Sequence, residues 1–439
     1  MINGWMQANQ GSRAGDNQIN KRGNEDMYLD LNANLTSEQV ALKEQVHRFA
    51  AEVMRPVAEK LDKMADPADV IAEDSPLWDL IRQTRELGYH TRGLPEELGG
   101  LALTPPEGNI ISEEMGWGSA GLSVCLGAGA MPFVFAAMFG SPELIEEFVI
   151  PFRDDMKGKY IGCWAITEPE HGGGDQMYIG SKREGIPLIR HNTRVKLDGD
   201  EWVIRGQKSA WVSNGTIATH ALLHTSVDGT DDERDAALFF VPLDLPGITK
   251  GKPLDKIGQR DLNQGEIYFD DVRVPKHYML VNPMMHEFVI DVIISGANGG
   301  MASTFVGVAR AAFEEALKYC KVRVAGAKVL CEHQLVQKRL FDMFKKVEAA
   351  RALSRAVGGY NAVTMPPEPH YAIAAKVHNT QIAFEVASDA LQLLGGNGLS
   401  REYPLEKIFR DARAALIEDG DNDTLSLGGA RYMLERYNV

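Results

Sequence analysis

Between positions 35 and 64 the apolar residues Val40, Leu42, Val46, Phe49, Val53, Val57 and Leu61 recur mostly three or four positions apart, and Thr36-Ser37-Glu38 supplies a start signal. That spacing predicts an amphipathic helix. Further helical stretches are predicted over 76–87, 107–116 and 142–152, separated by the Gly/Pro-rich turn Leu94-Pro95-Glu96-Glu97-Leu98-Gly99-Gly100. The pattern then changes to short runs at 193–197, 201–205, 219–223, 237–241 and 266–269, bounded by Asp-Gly, Gly and Pro signals. Leu197-Asp198-Gly199-Asp200-Glu201 between two alternating runs predicts a hairpin. From about Met285 the helical period returns, in 307–322, 333–357 and 371–394, interrupted at Pro366-Pro367 and Gly395-Gly396. The expected organisation is a polar tail over 1–34, a helical domain over 35–159, a β domain over 160–284 and a second helical domain over 285–439. Helices and strands in separate blocks give an α+β fold class.

Composition narrows the function classes. The chain has 439 residues, 44% hydrophobic and 24% charged, enough to bury a sizeable core. A net charge of −15 excludes a sequence-independent grip on nucleic acid, which requires clustered Lys and Arg. Cys125, Cys163, Cys320 and Cys331 have no metal-type or disulfide-framework spacing, so no metal site is expected and a reducing compartment fits. The N-terminal stretch has no apolar signal core, and no apolar run approaches the roughly 18 residues of a spanning helix. The expectation is a cytoplasmic protein with no membrane segment.

Six stretches in one order carry a family resemblance: Leu94 to Gly100; Trp164-Ala165-Ile166-Thr167-Glu168-Pro169; Gly206-Gln207-Lys208-Ser209-Ala210-Trp211-Val212-Ser213-Asn214-Gly215; Glu332-His333-Gln334; Gln392-Leu393-Leu394-Gly395-Gly396-Asn397-Gly398; and Phe409-Arg410-Asp411-Ala412-Arg413. A single Gly-Gly pair or one Trp in a β domain is an ordinary turn or core feature. Six in sequence resemble the acyl-CoA dehydrogenase superfamily. The resemblance implies an N-terminal helical domain, a β-barrel-like middle domain and a C-terminal four-helix bundle. It also implies FAD between the β domain and the C-terminal helices, shared across subunits of a homotetramer or homodimer.

Residue by residue, the resemblance places Trp164 and the backbone of Ile166 and Thr167 along the isoalloxazine edge, where donors stabilise negative charge on the reduced ring. It lays Trp211 against the flavin, with a β-domain core position as the alternative, and puts the Ser213 hydroxyl near N5. Arg323 would meet the pyrophosphate of a second subunit's FAD, with His333 and Gln334 nearby; a solvated helix-surface Arg is the alternative. At Gln392, Gly395 and Gly396 the missing side chains would let a helix end approach the dinucleotide, unless the glycines only cap the helix.

The family reaction removes an α-proton from an acyl thioester to a carboxylate while the β-hydrogen leaves as hydride to flavin N5, giving a 2-enoyl-CoA. The usual Glu-Gly a few residues beyond Arg-Asp-Ala is here Asp419-Gly420, within Leu416-Ile417-Glu418-Asp419-Gly420-Asp421-Asn422. Asp419 offers the same carboxylate on a side chain one methylene shorter, and the Gly420 backbone can still polarise the thioester. Glu418 as base, a solvated acidic turn and a degenerate site are the competing readings. Other departures bear on the substrate. Ser295 and Asn298 stand where many members hold CoA with an Arg. Gly174, before an apparent insertion over 182–190, stands where a Ser often touches cofactor and substrate. Gly127-Ala128-Gly129-Ala130 would permit a branched or cyclic acyl group, or simply pack a helix. An electron-transferring flavoprotein is the expected acceptor. Asp419 followed by Asn422 also resembles the nitroalkane oxidase branch, although that branch's downstream Arg is Ser426 here. A flavin-binding homologue without turnover is the third reading.

Overall fold

The computed structural model describes residues 35–172, 189–229 and 235–437. Helix α1 (Ser37–Phe49) runs through a π-helical turn at Ala50–Met54 into α2 (Arg55–Asp62), with right-handed backbone at both junctions. The π turn carries an extra residue, so the buried stripe steps from the expected Val53 and Val57 to Met54 and Ala58. Ser75 caps α3 (Pro76–Glu86) by accepting from the Leu77 N–H, and Thr104 with Glu107 forms a capping box on α4 (Pro105–Gly118). Helix α5 (Ala120–Phe139) follows after a single residue, Ser119, whose hydroxyl accepts from the Leu122 N–H. Two short helices, α6 (Pro142–Leu144) and α7 (Ile150–Asp154), flank a second π turn and end the first helical block.

The spacing did not predict α5, because it is apolar all round and carries three glycines and Pro132. It also corrects the expectation about apolar runs. The windows of α5 and of α8 (His286–Val322) have mean hydropathy 1.9 and 1.4, long and apolar enough to cross a membrane by composition alone. In the fold, 72% of the α8 window is buried as a core helix, against 39% of the α5 window. Part of the less buried face of α5 lines a cavity described below.

The middle strands form one sheet, in the order β6 (Ile248–Lys250), β7 (Ile267–Pro275), β3 (Glu201–Lys208), β2 (Arg194–Asp198), β4 (His220–Val227), β5 (Ala236–Pro242), β8 (Met279–Val281), with β1 (Gly162–Ala165) pairing on β4. The Asp198-Gly199-Asp200-Glu201 hairpin registers Leu197 on Trp202 and Asp198 on Glu201, as the turn chemistry predicts. β4 and β5 are buried along their whole length, β5 as a continuous apolar run and β4 with His220, His224, Thr225 and Ser226 among its buried residues, whereas β7 alternates. β1, β6 and β8, of three or four residues, are too short to show a period.

The last block comprises α8, a small hairpin of β9 (Val324–Ala325) and β10 (Lys328–Val329), then α9 (Gln334–Ala362), α10 (Pro369–Leu394), α11 (Leu405–Ala414) and α12 (Asn422–Arg436). α10 packs on α8, α9 and α12. α4 crosses α8 so closely that a Cβ at Gly116 would lie 2.0 Å from the Thr304 carbonyl oxygen, and one at Gly307 would lie 1.9 Å from that of Glu113. Beside this crossing Arg310 pairs with Glu113 at 2.6 Å and with Glu114, Arg351 pairs with Glu113 at 3.0 Å, and His47 meets Glu114 at 2.8 Å. These buried charges tie α1, α4, α8 and α9 together, each satisfied only while the others stay in place.

Candidate active site

Between α11 and α12 the chain reverses through a short loop that carries three acids, Glu418, Asp419 and Asp421, with a fourth, Asp423, just inside α12. Asp421 is the cap of α12, its carboxylate accepting from the N–H groups of Asp423 and Thr424 at 3.0 and 3.1 Å, and Asp423 lies in that helix's first turn. Glu418 and Asp419 are half-buried. Asp419 has φ +50° and Gly420 φ +95°, two consecutive left-handed residues. Asp tolerates that region better than most side chains do. Gly420 could not carry a side chain without strain, since a Cβ there would lie 2.8 Å from Leu425.

Two helices and the loop between β6 and β7 fix this reversal. Lys376 on α10, fully buried, donates from Nζ to the Gly420 carbonyl at 2.6 Å and to Asn422 Oδ1 at 2.9 Å. Asn298 on α8 donates to the Asp419 carbonyl at 3.4 Å. Gln259 holds Glu418, donating from Nε2 to Oε1 at 2.5 Å, while its own N–H donates to Asp411 Oδ1 at 2.5 Å. Arg410 pairs with Asp62 at 2.7 Å and Lys407 with Asp411 at 2.5 Å, so the Arg-Asp-Ala stretch is a structural brace for the loop rather than a contact surface.

Burial raises the Asp419 carboxyl to about 6, with the Lys376 ammonium opposing the rise. Glu418 is pushed up to about 7, first by burial and then by the neighbouring Asp419 charge. Burial lowers Lys376 to about 8 against the pull of Asp419, Glu418 and Asp421. The loop therefore presents a carboxylate whose basicity lies near neutrality, as proton abstraction from carbon requires. Glu418 is tied to Gln259, whereas no side-chain donor is recorded to the Asp419 carboxylate among the described residues.

The other expected positions divide into two sets. Around β1 and β3, Ile166 is buried and its carbonyl accepts from Lys208 Nζ at 3.1 Å, while that of Thr167 accepts from the Ser209 N–H at 2.9 Å. What these two residues can offer a cofactor is therefore N–H and hydroxyl. Trp164 is half-buried against the sheet core, its indole N–H donating to His224 Nε2 at 2.8 Å. Trp211 is 58% exposed, so the core-residue alternative for it is ruled out. Beside it, Ser213 Oγ accepts from Gln264 at 3.3 Å, which leaves its own hydrogen for another acceptor.

At the far end of α8, Arg323 is exposed and His333 Nε2 donates to the Ala325 carbonyl at 2.9 Å, closing the β9–β10 hairpin. Gln334, Gln392, Gly395 and Gly396 are exposed, and a Cβ at either glycine would meet nothing. Asn397 joins this turn to α8 by donating to the Tyr319 hydroxyl at 2.9 Å. Ser295 and Asn298 are buried, and Ser295 Oγ and Asn298 Oδ1 lack partners. Asn298 faces Asp419 rather than an open channel. Gly174 and residues 182–188 lie outside the described residues.

Sequence reasoning missed Lys376 and Gln259, and read Asn422 only as a mark of the nitroalkane oxidase branch. Lys376 sits in the apolar run Ala372-Ile373-Ala374-Ala375-Lys376-Val377, and a charge on the buried face of a helix was the available signal. It also read Glu168 and Lys208 only as motif letters. The two form a fully buried pair at 2.7 Å, Glu168 further accepting from the N–H groups of Asn192 and Thr193.

Residues 36–154, 163–272 and 294–434 match, in order, the N-terminal, middle and C-terminal domain models of acyl-CoA dehydrogenase. The chain belongs to the acyl-CoA dehydrogenase family. It is 30% identical over 397 residues, 90% of each chain, to the mitochondrial short-chain specific acyl-CoA dehydrogenase of Rattus norvegicus. Among solved structures it resembles butyryl-CoA dehydrogenase from Megasphaera elsdenii, at 26% identity and TM-score 0.79, covering 93% of this chain and 100% of that one. It likewise resembles a chain described as electron transferring flavoprotein of Acidaminococcus fermentans, at 27% identity and TM-score 0.79, covering 92% and 99%. Family members are FAD-dependent oxidoreductases acting on CH–CH bonds. This chain's residues fit that cofactor: an uncovered indole stands beside a hydroxyl with a hydrogen to give, and the Gly395-Gly396 turn leaves open space where side chains would block a close approach.

Proposed function

We propose that the protein is an acyl-CoA dehydrogenase in which Asp419 takes the α-proton of the substrate thioester, yielding a 2-enoyl-CoA. The observation that carries this reading is a half-buried Asp419, raised to about 6, on a reversal held by Lys376. FAD, when bound, supplies the acceptor for the β-hydride. The remaining work falls to the chain. Thr167, Trp211 and Ser213 would hold the cofactor's ring system, and Arg323, Gln334, Gln392 and the Gly395-Gly396 turn would meet its nucleotide part, in a homotetramer or homodimer.

The loop's backbone N–H groups polarise the thioester carbonyl, and burial of the site keeps Asp419 basic. The small residues Gly127, Ala128, Gly129 and Ala130 leave more width beside α5 than a tight acyl slot, room that a branched or cyclic acyl group could also use. Electrons would pass to an electron-transferring flavoprotein. The four free cysteines, three of them buried, agree with a reducing compartment such as the cytoplasm.

The test is anaerobic mixing of the purified flavoprotein with a panel of acyl-CoAs and nitroalkanes while flavin absorbance is followed. Bleaching by acyl-CoAs, lost in Asp419→Asn with FAD still bound, is the expected result. Bleaching by nitroalkanes alone would move the protein to an oxidase-type reading, and full activity in Asp419→Asn would shift the base to Glu418.

A further inference from the structure

Between α3, α4 and α5 lies a cavity of about 210 Å³. Its walls are apolar over most of their extent, with Ile81, Leu126, Val134 and Phe152 among them. Gly127 and Gly129 of α5 also line it, and Gly127 and Gly93 are exposed, so the cavity opens to solvent. A volume of this size is roughly seven times one water's share, room for about six heavy atoms of a chain.

Its lining carries two arginines and the Tyr89 hydroxyl. Arg92 lines the cavity with one recorded hydrogen bond, from Nη1 to the Met115 sulfur at 3.1 Å. A thioether is a weak acceptor and carries no charge, so no anion of the protein compensates this half-buried guanidinium. Tyr89 is only 6% exposed and its hydroxyl has no partner, and Arg85 Nε is orphaned in the same way; His90 gives its hydrogen from Nε2 to the Arg153 carbonyl at 3.0 Å, which leaves Nδ1 as an acceptor. Arg85 is paired with Asp155 at 3.2 Å, and no carboxylate lines the cavity. Burial lowers Arg92, with only the Tyr89 phenol opposing, so no fixed anion serves it.

The cavity adjoins the cofactor-facing turn. Asn214, next to Ser213, donates from Nδ2 to the Cys125 carbonyl of α5 at 2.9 Å and to the Gly162 carbonyl of β1 at 3.1 Å. Its side chain also lies 3.6 Å from the Cβ position of Gly129. Gly129, which lines the cavity, thus stands next to this turn without a side chain of its own.

We infer that this cavity receives the far end of the acyl chain and that Arg92, with Tyr89, binds an anionic terminal group there, making an ω-carboxyacyl thioester the preferred substrate class. The inference rests on the acyl-CoA reading of the same chain. A mostly apolar cavity that carries a guanidinium without a carboxylate partner and an unpaired phenol favours a methylene chain that terminates in a carboxylate: the chain covers the walls, and the carboxylate supplies the missing acceptor for both donors.

The test compares hexanoyl-CoA with its ω-carboxylated counterpart, adipyl-CoA, as reductants of the FAD-bound enzyme under anaerobic conditions. The wild type is expected to favour adipyl-CoA in kcat/KM. Arg92→Met should lower kcat/KM for adipyl-CoA by about 30-fold or more, chiefly through KM, and leave hexanoyl-CoA within about threefold. Arg92→Lys, which keeps the charge, should recover part of the preference, and Tyr89→Phe should cost about fivefold for adipyl-CoA only. A wild type that prefers hexanoyl-CoA, or a preference unchanged in Arg92→Met, overturns the inference and leaves the Asp419 reading standing. Failure of every acyl-CoA to bleach the wild-type flavin overturns both.

Discussion

Lys376 Nζ stands 2.6 Å from the carbonyl oxygen of Gly420, the residue that follows the candidate base, and its ammonium is the chief opposing charge on the Asp419 carboxyl. One buried side chain thereby sets both the shape and the basicity of the loop. Lys376→Met is expected to raise the acid-limb pKa of flavin reduction by about one unit, because the charge that favours the ionised carboxylate is gone. The rate of anaerobic reduction from pH 5 to pH 9 measures it. An unmoved limb would show that Lys376 holds the backbone only.

Asp419 carries a stability cost. Its folded pKa of about 6 lies above its ordinary value of 3.8, so the folded state binds more protons between those values and stability falls as pH rises through that window. Asp419→Asn is expected to stabilise the protein by about 1–2 kcal/mol at pH 7, after allowing for the residue's partial exposure, and by nothing near pH 4. Denaturant melts at the two pH values give the comparison. Equal effects at both would mean that the gain is not electrostatic.

The Glu168–Lys208 pair in the β domain makes the opposite case. Burial alone would raise the Glu168 carboxyl, but His191 and Lys208 hold it well below the usual range. Lys208→Met strands that charge and is expected to cost about 3–5 kcal/mol, whereas Glu168→Gln with Lys208→Met should recover a large part of the loss. Urea midpoints of the two singles and the double test it, with non-additivity as the expected signature.

Three buried histidines, His191, His224 and His286, stand in a row with ring centroids 6.0 and 6.4 Å apart. Burial lowers His191 to about 3 and His286 to about 4, and His224 well below its ordinary value. The unfolded chain takes up protons near pH 6.5 that the folded chain refuses, so stability is lost as pH falls from there toward 4. Each is expected to contribute about 1 kcal/mol of loss between pH 7 and pH 5.5. A urea midpoint that stays constant over that range in a protein carrying Glu418→Gln and Asp419→Asn, which removes the two raised carboxyls acting in the opposite direction, would contradict it.

The sequence by itself determined the order of helical and strand blocks, the hairpin at Asp198-Gly199, the family motifs and the register that puts Asp419 beside Gly420. Those features are local: side-chain period, turn chemistry and short motifs survive in one dimension. It left α5 unread because a helix apolar on every side has no period, and it mistook the α2 face because a π turn leaves no mark in composition. Only the tertiary structure decided what the acids at 418 and 419 do, since pairing and burial there depend on Lys376, Gln259 and Asn298, which lie 44, 159 and 121 positions from their partners in the loop. The same holds for Arg92. In sequence it is one cation among many, and the absence of a carboxylate beside it becomes visible only when three helices close a cavity around it.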